Sequence, residues 1–267
     1  MTTSTPAAPA EGRVSARTTD GVLRVVISNP ARRNAFTWGM YNQLASIAEE
    51  AAEASDLVAV VIRGTAEGGF AAGTDIRQFT GFASGADGVA YERRVAAVVE
   101  RLLAVPVPVI GLVEGAAVGA GLVVACCCDI VVAERGARFG APIVRTLGNC
   151  LPSAVIAMLR RRLGAGATDA MLLTASLLTA ETLSAAGFVH RVVETGGLDD
   201  AAEDLLHRIR SAAPLAVRAL KQTIRRLDDV VPAPDNEDLQ ALCYGSEDFR
   251  EGVTAFVAGR RPQWTGR

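Results

Sequence analysis

The chain has 267 residues, half of them apolar and only 5% aromatic, with a formal net charge of −2. That length suits one large domain, or one domain with a helical appendage, packed largely by Ala, Gly and Val. A charge so near zero excludes the electrostatic footprint of a nucleic-acid or anionic-membrane binder, while leaving room for a local basic patch.

The opening MTTSTPAAPAEG is small, polar and proline-containing, without the cationic and apolar regions of a signal peptide, and residues 1–13 read as a disordered tail. Val22–Ile27 reads as a strand, broken by Asn29-Pro30. Met40, Leu44, Ile47 and Ala51 recur with helical spacing. Leu57–Ile62 is a second, β-branched strand, followed by a loop rich in Gly and Ala from Thr65 to Gly73. Val95, Val98, Val99, Leu102 and Leu103 mark another amphipathic helix, stopped before Pro106. Val109–Val113 is a strand, Gly115 to Gly121 a bend, Leu122–Cys128 a buried helix, and Ile130–Ala133 a short strand. From about Ala201 the pattern is wholly helical, with Leu205, Leu206 and Ile209 in one helix and Val217, Leu220, Ile224 and Leu227 in the next. Alternating strands and helices predict an α/β fold with parallel pairing and right-handed crossovers. The expected organisation is a tail to residue 13, an α/β core over 14–195, and a helical region over 196–267.

Ala116–Cys128 is uncharged but spans only 13 residues between Glu114 and Asp129, short of the roughly 20 that cross a bilayer, so no membrane span is expected. Cys126, Cys127 and Cys128 are adjacent and point in different directions on a helix, so they cannot chelate as a CxxC pair does. Small buried thiols in a reducing cytoplasm are the plainer reading. His190 and His207 are distant from each other and from every other candidate, which leaves neither a metal site nor a Ser-His-Asp arrangement.

Two segments carry chemistry. Gly68-Gly69-Phe70-Ala71-Ala72-Gly73-Thr74-Asp75-Ile76 and Pro108 to Gly121 each follow a strand and place small residues where the chain turns. Small residues let a ligand approach backbone N–H groups. In the second segment those groups also open a helix, where unpaired donors and about half a positive charge collect. Side by side, the two loops could each offer one donor to a single oxygen. Two tight turns without a ligand would leave the same pattern.

These segments resemble the paired signature of the crotonase (enoyl-CoA hydratase/isomerase) superfamily. Further matches run in order: Asn29-Pro30 with Arg33-Asn34-Ala35, Cys128-Asp129-Ile130 with Ala137-Arg138-Phe139-Gly140, Ala213-Pro214-Leu215-Ala216 with Lys221, Ser246 to Gly252, and the ending Arg260-Arg261-Pro262-Gln263-Trp264. The likeness covers roughly residues 14 to 267. It implies a crotonase-type spiral of ββα units, a C-terminal helical trimerisation region, and a homotrimer or homohexamer. It also implies an acyl-CoA thioester substrate, with coenzyme A as part of the substrate and no permanently bound cofactor. The thioester oxygen would meet the backbone N–H groups of Thr74 and Ala120. Arg32 or Arg33 would lie near the CoA phosphates, with Ala35, Ala71, Ala72, Asp75 and Ile76 along the ligand. Phe256 and Arg260 would come from a neighbouring subunit's tail.

The resemblance breaks at two positions. Hydratases of the family activate water and deliver a proton with two glutamates, and ungapped alignment puts Val123 and Ile143 there. Neither transfers a proton, and a positioned acid or base contributes roughly 10²–10⁴-fold. In the segment Ile143 to Pro152, Cys150 stands as a candidate nucleophile by analogy and Arg145 as a partner for an acyl carboxylate. Glu92 and Glu100, on the preceding helix, offer carboxylates from a new direction. Two functions stay open: an enzyme acting on an acyl-CoA (hydration, isomerisation, hydrolysis or decarboxylation), and a non-catalytic acyl-CoA binder.

Overall fold

The computed structural model describes residues 12–228 and 233–267. The expected tail therefore lies outside the described residues apart from Gly12 and Arg13, and Arg13 already opens the first strand.

β1 (Arg13–Thr19) and β2 (Val22–Ser28) form an antiparallel hairpin. Its two-residue turn has φ of 50° at Asp20 and 72° at Gly21, the left-handed pair that Asp-Gly supplies. α1 (Trp38–Glu53) leads to β3 (Ala59–Gly64), and α2 (Gly85–Ala104) leads to β4 (Val109–Val113). β5 (Ala116–Val118), α3 (Ala120–Cys127), β6 (Ile130–Glu134), β7 (Arg138–Gly140) and the short α4 (Ile143–Thr146) follow. Then come α5 (Ser153–Leu163), α6 (Ala165–Thr174), β8 (Leu178–Thr179), α7 (Ala180–Ala185) and β9 (Val189–Val193). Four helices close the chain: α8 (Leu198–Arg210), α9 (Pro214–Asp228), α10 (Glu237–Gly245) and α11 (Glu247–Val257).

The strands make two sheets. The larger runs β1-β2-β3-β4-β6-β9 and is parallel from β2 onward. The smaller runs β5-β7-β8, and a parallel bridge from Ala71 to Ala117 extends it by one residue. The chain thus visits the large sheet, the small sheet and a helix in turn: β3, Ala71, α2; then β4, β5, α3; then β6, β7, α4. This is the expected spiral of ββα units. All five residues of β4 are buried, because both faces of the large sheet are covered. α1, α2 and α3 pack on one face. Leu198, Ala201, Ala202, Leu205 and Leu206 of α8 pack on the other, against Val22, Val61, Ile110, Leu112 and Val132. The helical stretch expected after residue 195 therefore begins with a helix integral to the sheet.

The C-terminal helices fold back over their own chain. A Cβ on Gly85 would fall 2.0 Å from the Ala241 carbonyl oxygen, and one on Gly88 would fall 2.0 Å from the Tyr244 ring. Only glycine lets α10 approach α2 so closely. α9 differs, for none of its residues is buried. Lys221 donates to the Val107 carbonyl and pairs with Asp129, and Arg218 donates to the carbonyls of Ser55 and Leu57. Its apolar side chains remain outside, with Leu215 81% and Leu227 68% exposed.

Candidate active site

Backbone pairing brings the two glycine-rich segments together. The N–H of Ala71 donates to the Ala116 carbonyl at 2.9 Å, and the N–H of Val118 donates to the Ala71 carbonyl at 2.9 Å. The approach is close enough to dictate residue type. A Cβ on Gly121 would lie 2.1 Å from the Ala71 oxygen. Gly73 and Gly119 also hold φ of 98° and 54°, which L side chains rarely adopt. Asn34 locks this assembly to the first loop. Its Oδ1 accepts from the Asn29 N–H and the Thr65 hydroxyl, and its Nδ2 donates to the carbonyls of Thr65 and Gly69.

Thr74 and Ala120 follow these turns, and both line a cavity of about 160 Å³. Ala120 is the first residue of α3, so its N–H has no partner inside the helix. Among the described residues the Thr74 N–H has no backbone acceptor, while its neighbours Gly73 and Asp75 pair with Phe36. The Thr74 hydroxyl joins a buried chain, 2.7 Å from the Tyr41 hydroxyl and 2.8 Å from that of Tyr91. Burial pushes Tyr41 up to about 12 and Tyr91 well above its ordinary value, so both stay neutral hydrogen-bonding groups.

The rest of the lining is mostly apolar and includes Val95, Val118, Val123, Ile143, Leu147 and Val155. Glu92 is the one carboxylate among the described lining residues, and it is 5% exposed. It accepts a hydrogen bond from the Tyr244 hydroxyl, which itself accepts from Asn149 Nδ2 at 2.8 Å. Burial raises Glu92 to about 8, and the Tyr244 hydrogen bond only partly offsets this. Asn149 also lines the cavity, and its buried Oδ1 has no partner among the described residues.

The residues singled out in the sequence part into groups. Ala72, Thr74, Ile76, Ala120 and Phe256 line the cavity. Ala71 is the buried bridge behind it, and Ala35 is buried in the first loop, its carbonyl accepting from Asn29 Nδ2. Arg32 and Asp75 line a separate groove with Arg77, which is tied to Asp75 by an ion pair; Arg33 is exposed outside it. Arg145 and Arg260 line another groove with Arg261 and Trp264, bordered by Thr146 and Phe256. Arg260 there is held by both oxygens of Glu251 at 2.6 and 2.8 Å.

Phe256 reaches the cavity of its own chain, because α11 buries Phe249 and Val253 against Ile76, Phe79 and Leu147. One expectation changes. Cys150 is not among the described cavity-lining residues. Its thiol lies beside Cys243 and is pushed up to about 12 by burial, the opposite of an activated nucleophile. Cys126, Cys127 and Cys128 are buried thiols raised the same way. Of the two glutamates on α2, Glu100 is exposed and pairs with Arg225, whereas Glu92 faces the cavity. Tyr91 and Tyr244 were not expected at the site. The signal for Glu92 was present: it stands four residues after Gly88 and three before Val95, on the buried stripe of α2. Among the described residues no helix is long and apolar enough to cross a membrane, and no group of His, Cys, Asp and Glu is placed to hold a metal ion.

A profile of the Enoyl-CoA hydratase/isomerase family matches residues 17–267. The chain is 32% identical over 257 residues to the 2,3-dehydroadipyl-CoA hydratase of Escherichia coli (strain K12), covering 92% of this chain and 96% of that protein. Among solved structures, an enoyl-CoA hydratase/carnithine racemase from Magnetospirillum magneticum superposes with a TM-score of 0.77 at 32% identity, covering 95% of this chain and 96% of that one. A methylmalonyl-CoA decarboxylase complexed with 2S-carboxypropyl-CoA superposes with a TM-score of 0.86 at 25% identity, covering 97% of this chain and all of that one.

Proposed function

The chain belongs to the enoyl-CoA hydratase/isomerase family, and from that premise we propose that its cavity receives the acyl end of a CoA thioester, whose carbonyl oxygen is held by the N–H groups of Thr74 and Ala120. The observation carrying this reading is the pair of backbone donors without backbone acceptors, brought into one cavity by the Ala71–Ala117 bridge. Fixed donors aimed at an oxygen stabilise the negative charge that develops there, and removing one such donor costs about 10²–10³ in rate. Thioester enolates and tetrahedral intermediates both place charge on that oxygen.

The remaining features support the same ligand. Arg32, in the groove beside Asp75, has no ion pair among the described residues and suits a CoA phosphate. The cavity volume of about 160 Å³ is close to that of the ~150 Å³ cavity that holds benzene, so a short, apolar acyl group fits. On α9, Leu215, Leu220, Ile224 and Leu227 form an uncovered apolar stripe that suits self-association as a homotrimer or homohexamer.

A non-catalytic acyl-CoA binder is the second reading, favoured by the apolar Val123 and Ile143 in the cavity wall. Calorimetric titration with short-chain CoA thioesters, beside turnover assays that follow the enoyl absorbance, separates the two. Binding with turnover supports the enzyme, and binding without turnover across an enoyl, branched and dicarboxylic panel supports the binder. Absence of binding to any thioester refutes both.

A further inference from the structure

Val123 and Ile143 leave the cavity without proton-transferring side chains at the two positions where the family resemblance places glutamates, yet α2 supplies a carboxylate. Glu92 shares the buried stripe of that helix with Gly88, Val95, Val99 and Leu102. A buried carboxylate is unfavourable unless it is neutralised, paired or hydrogen-bonded. Among the described residues the groups around Glu92 are Tyr244 from α10, Tyr91 on α2, Tyr41 on α1, and Cys150 and Asn149 from the segment after α4; none of these is a cation, and no salt bridge to Glu92 is formed among the described residues.

What surrounds it is a built support. Gly88 is one turn before Glu92, and its missing side chain makes the space in which the Tyr244 ring lies. Tyr244 donates to Glu92, and Asn149 donates to Tyr244. That leaves Asn149 Oδ1, on a residue of the cavity wall, as a buried acceptor without a donor among the described residues, available to an N–H or O–H of a bound ligand.

We propose that Glu92 is the proton-transferring carboxylate of this cavity, positioned by Tyr244 and Asn149, and that it shifts a proton between two carbons of a short enoyl thioester. The inference rests on the acyl-CoA reading above. The Glu92 carboxylate takes a proton from C2 of a 3-enoyl thioester. The electron pair of the broken C2–H bond moves through the carbonyl onto the thioester oxygen, where the N–H groups of Thr74 and Ala120 hold it. That pair then returns to form the C2=C3 bond, and the former C3=C4 pair takes the same proton back from Glu92 at C4. No water or co-reactant is consumed, and the carboxylate is regenerated. Hydration would require a second group to hold and activate water, and Val123 and Ile143 provide none.

The test uses the full-length protein, Glu92→Gln and Tyr244→Phe. Binding of butyryl-CoA is measured by calorimetry, deuterium uptake at its C2 by mass spectrometry, and conversion of 3-pentenoyl-CoA by enoyl absorbance. The wild type is expected to bind, exchange and isomerise, with a rate that rises with pH through a limb near 8 as Glu92 ionises. Glu92→Gln should bind with unchanged affinity and lose exchange and isomerisation by about 10²-fold or more. Tyr244→Phe should lower turnover and move the limb to higher pH, because the lost hydrogen bond had positioned the carboxylate and favoured its charged form. Wild-type rates in Glu92→Gln, or a wild type that binds thioester but neither exchanges nor isomerises, overturn the proposal. A wild type that binds no thioester overturns the acyl-CoA reading itself, and this inference with it.

Discussion

Replacing Glu92 by Gln should change stability in a way that depends on pH. Burial raises Glu92 to about 8 from an ordinary value of 4.5. Between those values the unfolded chain has released the proton while the folded chain still holds it. The folded state binds more protons, so its stability falls as pH rises across this window and levels off above it. For a single group with those two values, the loss between about pH 5 and pH 8 is roughly 3 kcal/mol. Gln does not titrate, so the variant should lack this slope. Other perturbed groups act elsewhere. Asp75, Asp87, Asp204, Asp248 and Glu251 are lowered by hydrogen bonds and ion pairs, and their stabilisation is lost as pH falls below the ordinary carboxylate range. The raised thiols of Cys126, Cys127, Cys128 and Cys150 act only as pH climbs through the ordinary thiol value of 9.0. Urea unfolding of both proteins at intervals from about pH 5 to pH 8 reads the difference directly. The gap in unfolding free energy should widen with pH in favour of the variant. Parallel curves would show that Glu92 is ionised in the folded protein at neutral pH, and the burial reasoning would be wrong.

Three more outcomes can be checked. Ala120 is the first residue of α3, where proline is accommodated, so Ala120→Pro removes one donor while keeping the helix. Deuterium uptake at C2 of butyryl-CoA should then fall by about 10²–10³, with far-UV circular dichroism unchanged; an unaffected rate excludes this donor. Asn34→Ala breaks four hydrogen bonds and strands the buried Asn29 N–H and the Gly69 carbonyl, so urea unfolding should show a loss of about 2–4 kcal/mol. A loss under about 0.5 kcal/mol would mean that water takes over these partners. Leu220→Glu with Ile224→Glu should convert the assembly to monomers in sedimentation velocity without unfolding them, since the two side chains are 64% and 61% exposed in the single chain. An unchanged sedimentation coefficient removes α9 from the interface.

The sequence was legible where one period or one motif governs several residues. The buried strands β3, β4 and β6 and the helices α1 and α2 follow from their apolar spacing, and the two glycine-rich loops from their small residues. It was opaque where pairing, and not pattern, makes the element. Only Val14 of β1 is buried, so this edge strand shows no alternation to read. β5, β7 and β8 have three, three and two residues, too few for any period. The expected start of β3 at Leu57 falls two residues before Ala59, and α3 begins at Ala120 rather than Leu122 because small residues already serve as its first turn. In the site, Thr74 and Ala120 were visible because their donors belong to the main chain and follow the motif. Tyr244 was not, because it reaches Glu92 across 152 residues through a fold-back that only Gly85 and Gly88 permit.

A carboxylate on α2 has a dependence that one on α3 or α4 would lack. The backbone donors of Thr74 and Ala120 need only the glycines of their loops, and those lie within the ββα spiral. They are indifferent to the side chains at positions 123 and 143, so in the proposed reading the hold on an oxyanion persists while the proton-transferring group sits on α2. The new position brings a constraint with it. Glu92 is held by Tyr244, and Tyr244 arrives only when α10 lies on α2. α11 then adds Phe256 to the same cavity by resting Gly252 on the Leu147 carbonyl, where a Cβ would fall 2.6 Å away. Docking of α10 and α11 therefore sets both the acidity of Glu92 and the closure of the cavity. Perturbing that docking, as in Gly88→Ala, should shift the pH limb and weaken thioester binding together, although residue 88 is not among those lining the cavity.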